Sequence, residues 1–325
     1  MNIVVLDGYT ISQDDLNWSD MLRFGPLTYH PRTSRKDIVK RIGDAEAVLT
    51  SKCLIDEYVM DECPNLRYIG VLATGYNNVS VNYAKYRNIA VTNIPYYSGS
   101  SVAQFTFALI LEIANNVGLH NASVKRGDWT AREDFCYVLT EQSRLAGMTL
   151  GIIGFGNIGR QVAQIAEAFG MKTLVHTPHP PVGKTSLVEL ELVRLVEFTS
   201  LDSVLRRSDI LSLHCPATPK TEGMVNREFI AKMKDGAILI NTARGSLINE
   251  EDLATALRLG KIKAAGIDVL STEPPPSNNP LLSIGNCIIT PHIGWITKEA
   301  RERLIEIAVS NLKAYLEGEN LNRIV

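Results

Sequence analysis

The ten residues Leu150-Gly151-Ile152-Ile153-Gly154-Phe155-Gly156-Asn157-Ile158-Gly159 restrict the fold of this chain more than any other stretch. Gly154, Gly156 and Gly159 stand at GxGxxG spacing, directly after an apolar run and at the start of a helix-compatible segment. The first glycine permits a tight turn, the second lets backbone approach a pyrophosphate, and the third lets helix and strand pack closely. Free N–H groups at the helix start, where Asn157 and Ile158 stand, attract the anion. The spacing alone is a weak signal, because a glycine-rich turn is as readily structural. With a strand before it and a helix after it, the motif predicts a dinucleotide site.

The rest of the chain has the same rhythm. Short β-rich apolar runs lie at residues 3–6, 47–50, 68–72 and 89–92, with helix-compatible segments such as 35–42 between them. A second series lies at 150–153, 173–176, 195–198, 210–213, 237–240, 265–269 and 287–290. Alternation of this kind favours parallel sheets with helices on their faces, and seven strands suffice for a complete doubly wound domain. A chain of 325 residues also exceeds what one hydrophobic core usually holds. Boundaries near Ser98 and Pro291 divide it into residues 1–98 with 292–325, and residues 99–291. Asn249 before Glu250, Glu251 and Asp252 marks a helix start, while Gly170 and Gly260 mark helix ends. Residues 297–316 carry Leu304, Ile307, Ala308, Leu312 and Tyr315 at helical spacing, long enough to return to the N-terminal part. No internal repeat stands out, and Pro274 to Pro276 mark a rigid loop.

Composition excludes several classes. Lys+Arg number 33 against 35 Asp+Glu, a net charge of −2, where a nucleic-acid binder normally carries a basic excess. Asp7 interrupts the N-terminal apolar run with no basic stretch before it, which fits a buried strand and not a signal peptide. The apolar stretch 105–111 is too short to span a bilayer. Cys53, Cys63, Cys136, Cys215 and Cys287 are odd in number and never at CxxC spacing. A disulfide framework or a zinc site is therefore not expected, and a reducing cytoplasm is.

Three further stretches stand at C-terminal ends of predicted strands, where open α/β sheets bind ligands. Arg244, after Asn241-Thr242-Ala243 and before Gly245, has the fork that matches a carboxylate, with the glycine letting the chain turn. Glu273 follows Gly266-Ile267-Asp268-Val269, and His292 sits in Thr290-Pro291-His292-Ile293-Gly294. Alone, Arg244 reads as a surface ion pair, Glu273 as a solvated loop acid, and His292 equally as a satisfied boundary residue. Together they make an acid–base histidine with a carboxylate partner, beside an anion-binding arginine.

At this point the sequence resembles the D-2-hydroxyacid dehydrogenase family over nearly its whole length, and within it the glycerate dehydrogenase (hydroxypyruvate reductase) branch. The resemblance implies an α/β fold: a Rossmann-type doubly wound parallel sheet inserted into a smaller flavodoxin-like substrate domain. It implies a triad of Arg244, Glu273 and His292, and reduction of a small 2-oxo acid, hydroxypyruvate or glyoxylate first, by NAD(P)H in the cleft between domains. Ala73, Thr74 and Gly75 in Val71-Leu72-Ala73-Thr74-Gly75-Tyr76-Asn77 resemble the loop whose amides bind the substrate carboxylate. Val102 resembles the residue against the nicotinamide, and Asp268 one near its amide. His214-Cys215-Pro216 resembles the loop past the adenosine, Thr242 and Ala243 fall in the cofactor-binding stretch before Arg244, and Trp295 helps shape the substrate pocket. The stretch 120–145, with Trp129, Phe135 and Tyr137, resembles an arm that embraces a second subunit in a homodimer.

Departures from the family pattern are informative. Thr177 stands where an acid normally binds the adenosine ribose, with only His176, His179 and Lys184 as basic neighbours in sequence, so NAD and NADP are both open. Tyr96-Tyr97-Ser98-Gly99 is a less usual approach to the interdomain helix. An end at Val325 leaves no room for the regulatory domain of many phosphoglycerate dehydrogenases. Two rival readings remain: a dinucleotide-sensing protein with little turnover, like the C-terminal-binding corepressors, and an enzyme of the same fold acting on another acid such as formate. The small-domain motif is unlike the formate branch.

Overall fold

The computed structural model describes residues 1–13, 15–180 and 196–325. Lys184 and the first residue of the run expected at 195–198 lie outside the described residues. The chain divides into two compact units, Met1–Ser98 with Ile296–Val325, and Gly99–Trp295. His292 to Trp295, which the sequence division placed with the chain ends, thus group with the central unit.

In the first unit β1 (Ile3–Val5), β2 (Leu27–Tyr29), β3 (Ala47–Thr50), β4 (Tyr68–Val71) and β5 (Ala90–Thr92) form one parallel sheet in the order β2-β1-β3-β4-β5. This is the flavodoxin-like strand order. β3 and β4 are buried at every position, so they read as mainly apolar runs, as expected when helices cover both faces. β2 was not expected. It is a three-residue, half-exposed edge strand without an apolar run, held through pairing with β1. The expected helix at 35–42 is a 3-10 turn (Arg35–Asp37) running into α1 (Ile38–Ile42). α2 (Glu57–Glu62), α3 (Val81–Tyr86) and the long C-terminal helix Lys298–Leu316 complete the unit. Thr297 caps that last helix by accepting from Ala300 N, and Tyr315 packs on Tyr68 of β4 at 5.0 Å between ring centroids. The tail then returns to β5, where Ile324 N donates to Val91 O at 2.7 Å.

The second unit carries β6 (Thr149–Ile153), β7 (Lys172–His176), β8 (Val196–Phe198), β9 (Ile210–Leu213), β10 (Ala237–Asn241), β11 (Ile262–Ile267) and β12 (Cys287–Ile289). They are parallel throughout, in the order β12-β11-β10-β9-β6-β7-β8. The connection order reverses between β6 and β9, the position where doubly wound sheets bind ligands. Strand periodicity supplies the two cores. Ile152, Ile210 and Ile240 pack on one face with Phe107 and Val162, while Ile153, Leu211 and Leu239 pack on the other with Leu253 and Leu257. Each such side chain contributes about 1.5–3 kcal/mol of burial. The expected strand at 265–269 begins earlier, at Ile262, because exposed Lys263 interrupts its apolar pattern. Among the described residues no single helix is long and apolar enough to cross a membrane.

Candidate active site

The glycine turn joins β6 to the helix Asn157–Ala168, and each glycine has a distinct reason to be there. Gly154 has φ +94°, and a Cβ on it would lie 2.6 Å from the carbonyl carbon and oxygen of His214. A Cβ on Gly159 would run into the Gly154 carbonyl, so helix and strand could not approach. Around Gly156 there is open space, and this residue caps the helix without a side-chain bond. Gly154 N donates to His176 O at 2.9 Å, and His214 N donates to Ile153 O at 2.7 Å. The turn is therefore sewn between the ends of β7 and β9. Burial pushes the His214 imidazole down to about 4. Its Nε2 lies 2.8 Å from Ser212 Oγ, while among the described residues its buried Nδ1 has no partner. An uncapped helix start, an open glycine and an orphaned imidazole nitrogen fit a dinucleotide phosphate and its adenosine end. Cys215 and Pro216 follow His214, and burial raises the Cys215 thiol. Thr177 is half-buried just beyond β7, with Pro178 and His179 exposed.

The second group collects beyond β10, β11 and β12. Glu273 Oε2 lies 2.6 Å from His292 Nδ1, and Glu273 Oε1 accepts from Leu270 N at 3.0 Å. Burial raises the Glu273 carboxyl, but the bond and charge of His292, the Leu270 amide and the charge of Arg244 outweigh it, leaving it below its ordinary value. Arg244 is exposed and donates to Ala243 O at 2.7 Å, with no ion pair among the described residues. Gly245 acts by close approach and not by turning the chain, since its φ is not positive and a Cβ would strike the Leu270 carbonyl. The Arg244 loop is thereby pressed on the loop that carries Glu273.

His292 itself has φ +56° and donates through its N–H to Asp268 O at 2.9 Å. Asp268 is buried, and its carboxylate accepts from Thr290, Ile293 and Gly294. Thr242 is buried too, its hydroxyl 3.0 Å from that of Thr106, one turn on from buried Val102. Ala243 N donates to Asn241 Oδ1 at 3.0 Å, and Asn241 Nδ2 donates to Arg244 O at 2.8 Å. Sequence reasoning missed this bracket around Arg244. Its signal was an asparagine ending an apolar strand. It also missed Glu250, which read only as a first-turn acid but accepts from Ser271 N and Asn279 Nδ2. Trp295 is half-buried next to Gly294.

Ala73, Thr74 and Gly75 belong to the other unit, just past β4. Ile94 N donates to Ala73 O at 3.0 Å and Asn93 Nδ2 donates to Thr74 O at 2.8 Å, which fixes the loop by its carbonyls. Among the described residues their own N–H groups make no hydrogen bond.

The family model for the NAD-binding domain of D-isomer specific 2-hydroxyacid dehydrogenases matches residues 107–294. A hydroxypyruvate reductase from Blautia hydrogenotrophica is 49% identical over 325 residues, covering 99% of either chain. A glycerate dehydrogenase from Methylorubrum extorquens is 38% identical over 296 residues, 90% of each. Among solved structures, an NADPH-dependent glyoxylate/hydroxypyruvate reductase from Sinorhizobium meliloti superposes with TM-score 0.83 at 27% identity, covering 100% of this chain and 97% of that one. With its nucleotide turn, its histidine–carboxylate pair and relatives along its full length, the chain belongs to the D-isomer specific 2-hydroxyacid dehydrogenases, NAD(P)-dependent oxidoreductases acting on CH–OH donors.

Proposed function

We propose that the chain reduces hydroxypyruvate or glyoxylate to the corresponding 2-hydroxy acid. The observation that carries this reading is the 2.6 Å pair of His292 Nδ1 and Glu273 Oε2, in a group with an arginine that has no carboxylate partner among the described residues. With Nδ1 committed to Glu273, Nε2 is the ring nitrogen that gives its proton to the substrate carbonyl oxygen. Glu273 holds the ring in one orientation and offsets its positive charge. Arg244 forks onto the substrate carboxylate and draws electron density from the adjacent carbonyl. Trp295 shapes the pocket wall. The turn at Gly154, Gly156 and Gly159 would hold a reduced dinucleotide, whose chemistry would be to supply a hydride. Thr177 carries no charge to repel a 2′-phosphate, so the cofactor is NADH or NADPH. The names of the relatives support small substrates of this kind.

A homodimer is part of the reading. The arm beyond helix Val117–Lys125 leaves Phe135 88% and Trp129 48% exposed, aromatic area of the kind that interface cores use. Five unpaired cysteines support a cytoplasmic setting. Oxidation of NADH and NADPH measured against hydroxypyruvate, glyoxylate, pyruvate and a bulky 2-oxo acid tests the proposal. Fast turnover of the first two is expected. Tight NADH binding without turnover of any acid would instead support a dinucleotide sensor.

A further inference from the structure

We infer that Asp268 is a positioning residue for the proton donor: its buried side chain clasps the turn at 290–294 and sets the backbone from which the His292 ring meets Glu273. This rests on the reading of His292 as the donor.

Asp268 is 3% exposed and directly follows β11. Its Oδ1 accepts from Thr290 Oγ1 at 2.7 Å and from Ile293 N at 2.9 Å, and its Oδ2 accepts from Gly294 N at 2.8 Å. Its backbone carbonyl accepts from His292 N at 2.9 Å. Four donors from five consecutive residues thus converge on one side chain and its own carbonyl. Thr290 is gripped on one side of His292, Ile293 and Gly294 on the other, and His292 between them. This explains how a residue bearing a Cβ is kept at φ +56°, a conformation that persists only where the surroundings hold it. Gly294 is part of the clasp, because a Cβ there would lie 3.0 Å from Asp268 Oδ2 and 3.3 Å from the Phe105 ring. Bonds to an ionised acceptor are the strong ones, and three of the roughly four acceptor sites of a carboxylate are already used here. The charge of Asp268 is spent mainly inside the protein, on the turn that presents the histidine. The family resemblance puts Asp268 near the nicotinamide amide, a contact that its remaining acceptor site leaves open.

The test compares Asp268→Asn, Thr290→Val and Thr290→Ser. Asparagine keeps the shape but turns an amino group toward Gly294 N or toward the donors at Oδ1. We expect Asp268→Asn to lower kcat about 100-fold at saturating NADH, with the NADH dissociation constant, read from fluorescence without substrate, moving less than about threefold. Thr290→Val should lower kcat about fivefold, and Thr290→Ser, which restores the hydroxyl, should stay within about twofold. The downfield Nδ1 proton of His292, seen by NMR, should vanish in Asp268→Asn. The Asp268→Asn/Glu273→Gln double variant should lose no more than about threefold beyond the worse single variant, since both act through one ring. Weakened NADH binding with the Nδ1 proton in place would overturn the inference in favour of a direct cofactor contact. So would an unchanged kcat, or fully additive losses. Should Asp268→Asn fail to fold, the threonine pair decides, and an unchanged kcat in Thr290→Val overturns it. Should the wild-type enzyme reduce no 2-oxo acid, the reading of His292 fails, while the Nδ1 proton still tests the clasp by itself.

Discussion

The two units use one device at two strand ends and do different things with it. In the first unit, Asp7 stands beyond β1, is 1% exposed, and accepts from the hydroxyl of Thr50, which ends the neighbouring strand β3. It then accepts from the amides of Ser51, Lys52 and Cys53. In the second unit, Asp268 beyond β11 takes the hydroxyl of Thr290, just past the neighbouring strand β12, and the amides of Ile293 and Gly294. Parallel strands end with unpaired amides on one edge of the sheet, and a buried carboxylate that collects them satisfies its own charge at the same time. The clasped turns differ. Residues 51–53 have ordinary backbone, whereas the second turn holds a left-handed histidine against a glutamate. A clasped strand end is therefore a structural solution that chemistry can occupy, and the strained histidine with its partner marks where it does.

Several measurements would break or sharpen this contrast. The largest effect belongs to His292→Ala, for which turnover should fall at least about 100-fold while NADH still binds. Near-wild-type turnover would remove the chemistry from the second clasp altogether. Glu273→Gln should cost about tenfold in kcat and alter the pH profile. The Glu273 carboxyl lies below its ordinary value, so its pair with His292 is complete above pH 4.5 and is lost as pH falls through the depressed value. An acid limb in the wild-type rate that disappears in Glu273→Gln is the expected signature. Asp7→Asn should instead act on stability, lowering it by about 2–3 kcal/mol in urea unfolding, with kcat per folded molecule within about threefold of wild type. A loss of turnover matching that of Asp268→Asn would erase the distinction between the two clasps. The smallest effect is expected at Asp15, where the hydrogen bond from Arg301 holds the carboxyl down to about 2. This contribution is present above the ordinary value of 3.8 and is lost between there and about 2. Arg301→Gln should lower stability slightly above pH 3.8, with the difference from wild type vanishing as pH falls from there to about 2, and leave turnover alone.

Much of this molecule was legible in its residues. Buried parallel strands are short, mainly apolar runs, and that is why β3 and β9 begin and end where the sequence pattern does. The glycine turn carries its own geometry, because only glycine fits at Gly154 and Gly159. β2 was illegible, being held by its neighbour and not by its own three residues. Gly245 could be seen but not understood, since the atom that excludes a side chain there belongs to Leu270, 25 positions on. Arg244, Glu273 and His292 could be named from their surroundings in sequence. Their hydrogen bonds, and the bracket by Asn241, could not.

Local pattern by itself determined the element types, the order of the strands along the chain, the nucleotide turn and the candidates for chemistry, because each depends on residues a few positions apart. Only tertiary structure decided which strands are neighbours, which face of His292 meets Glu273, and what the Asp268 charge is for. Those outcomes join residues 19 to 26 positions apart through single hydrogen bonds. A one-dimensional pattern records that an aspartate is present, but not which amides converge on it once the strands are side by side.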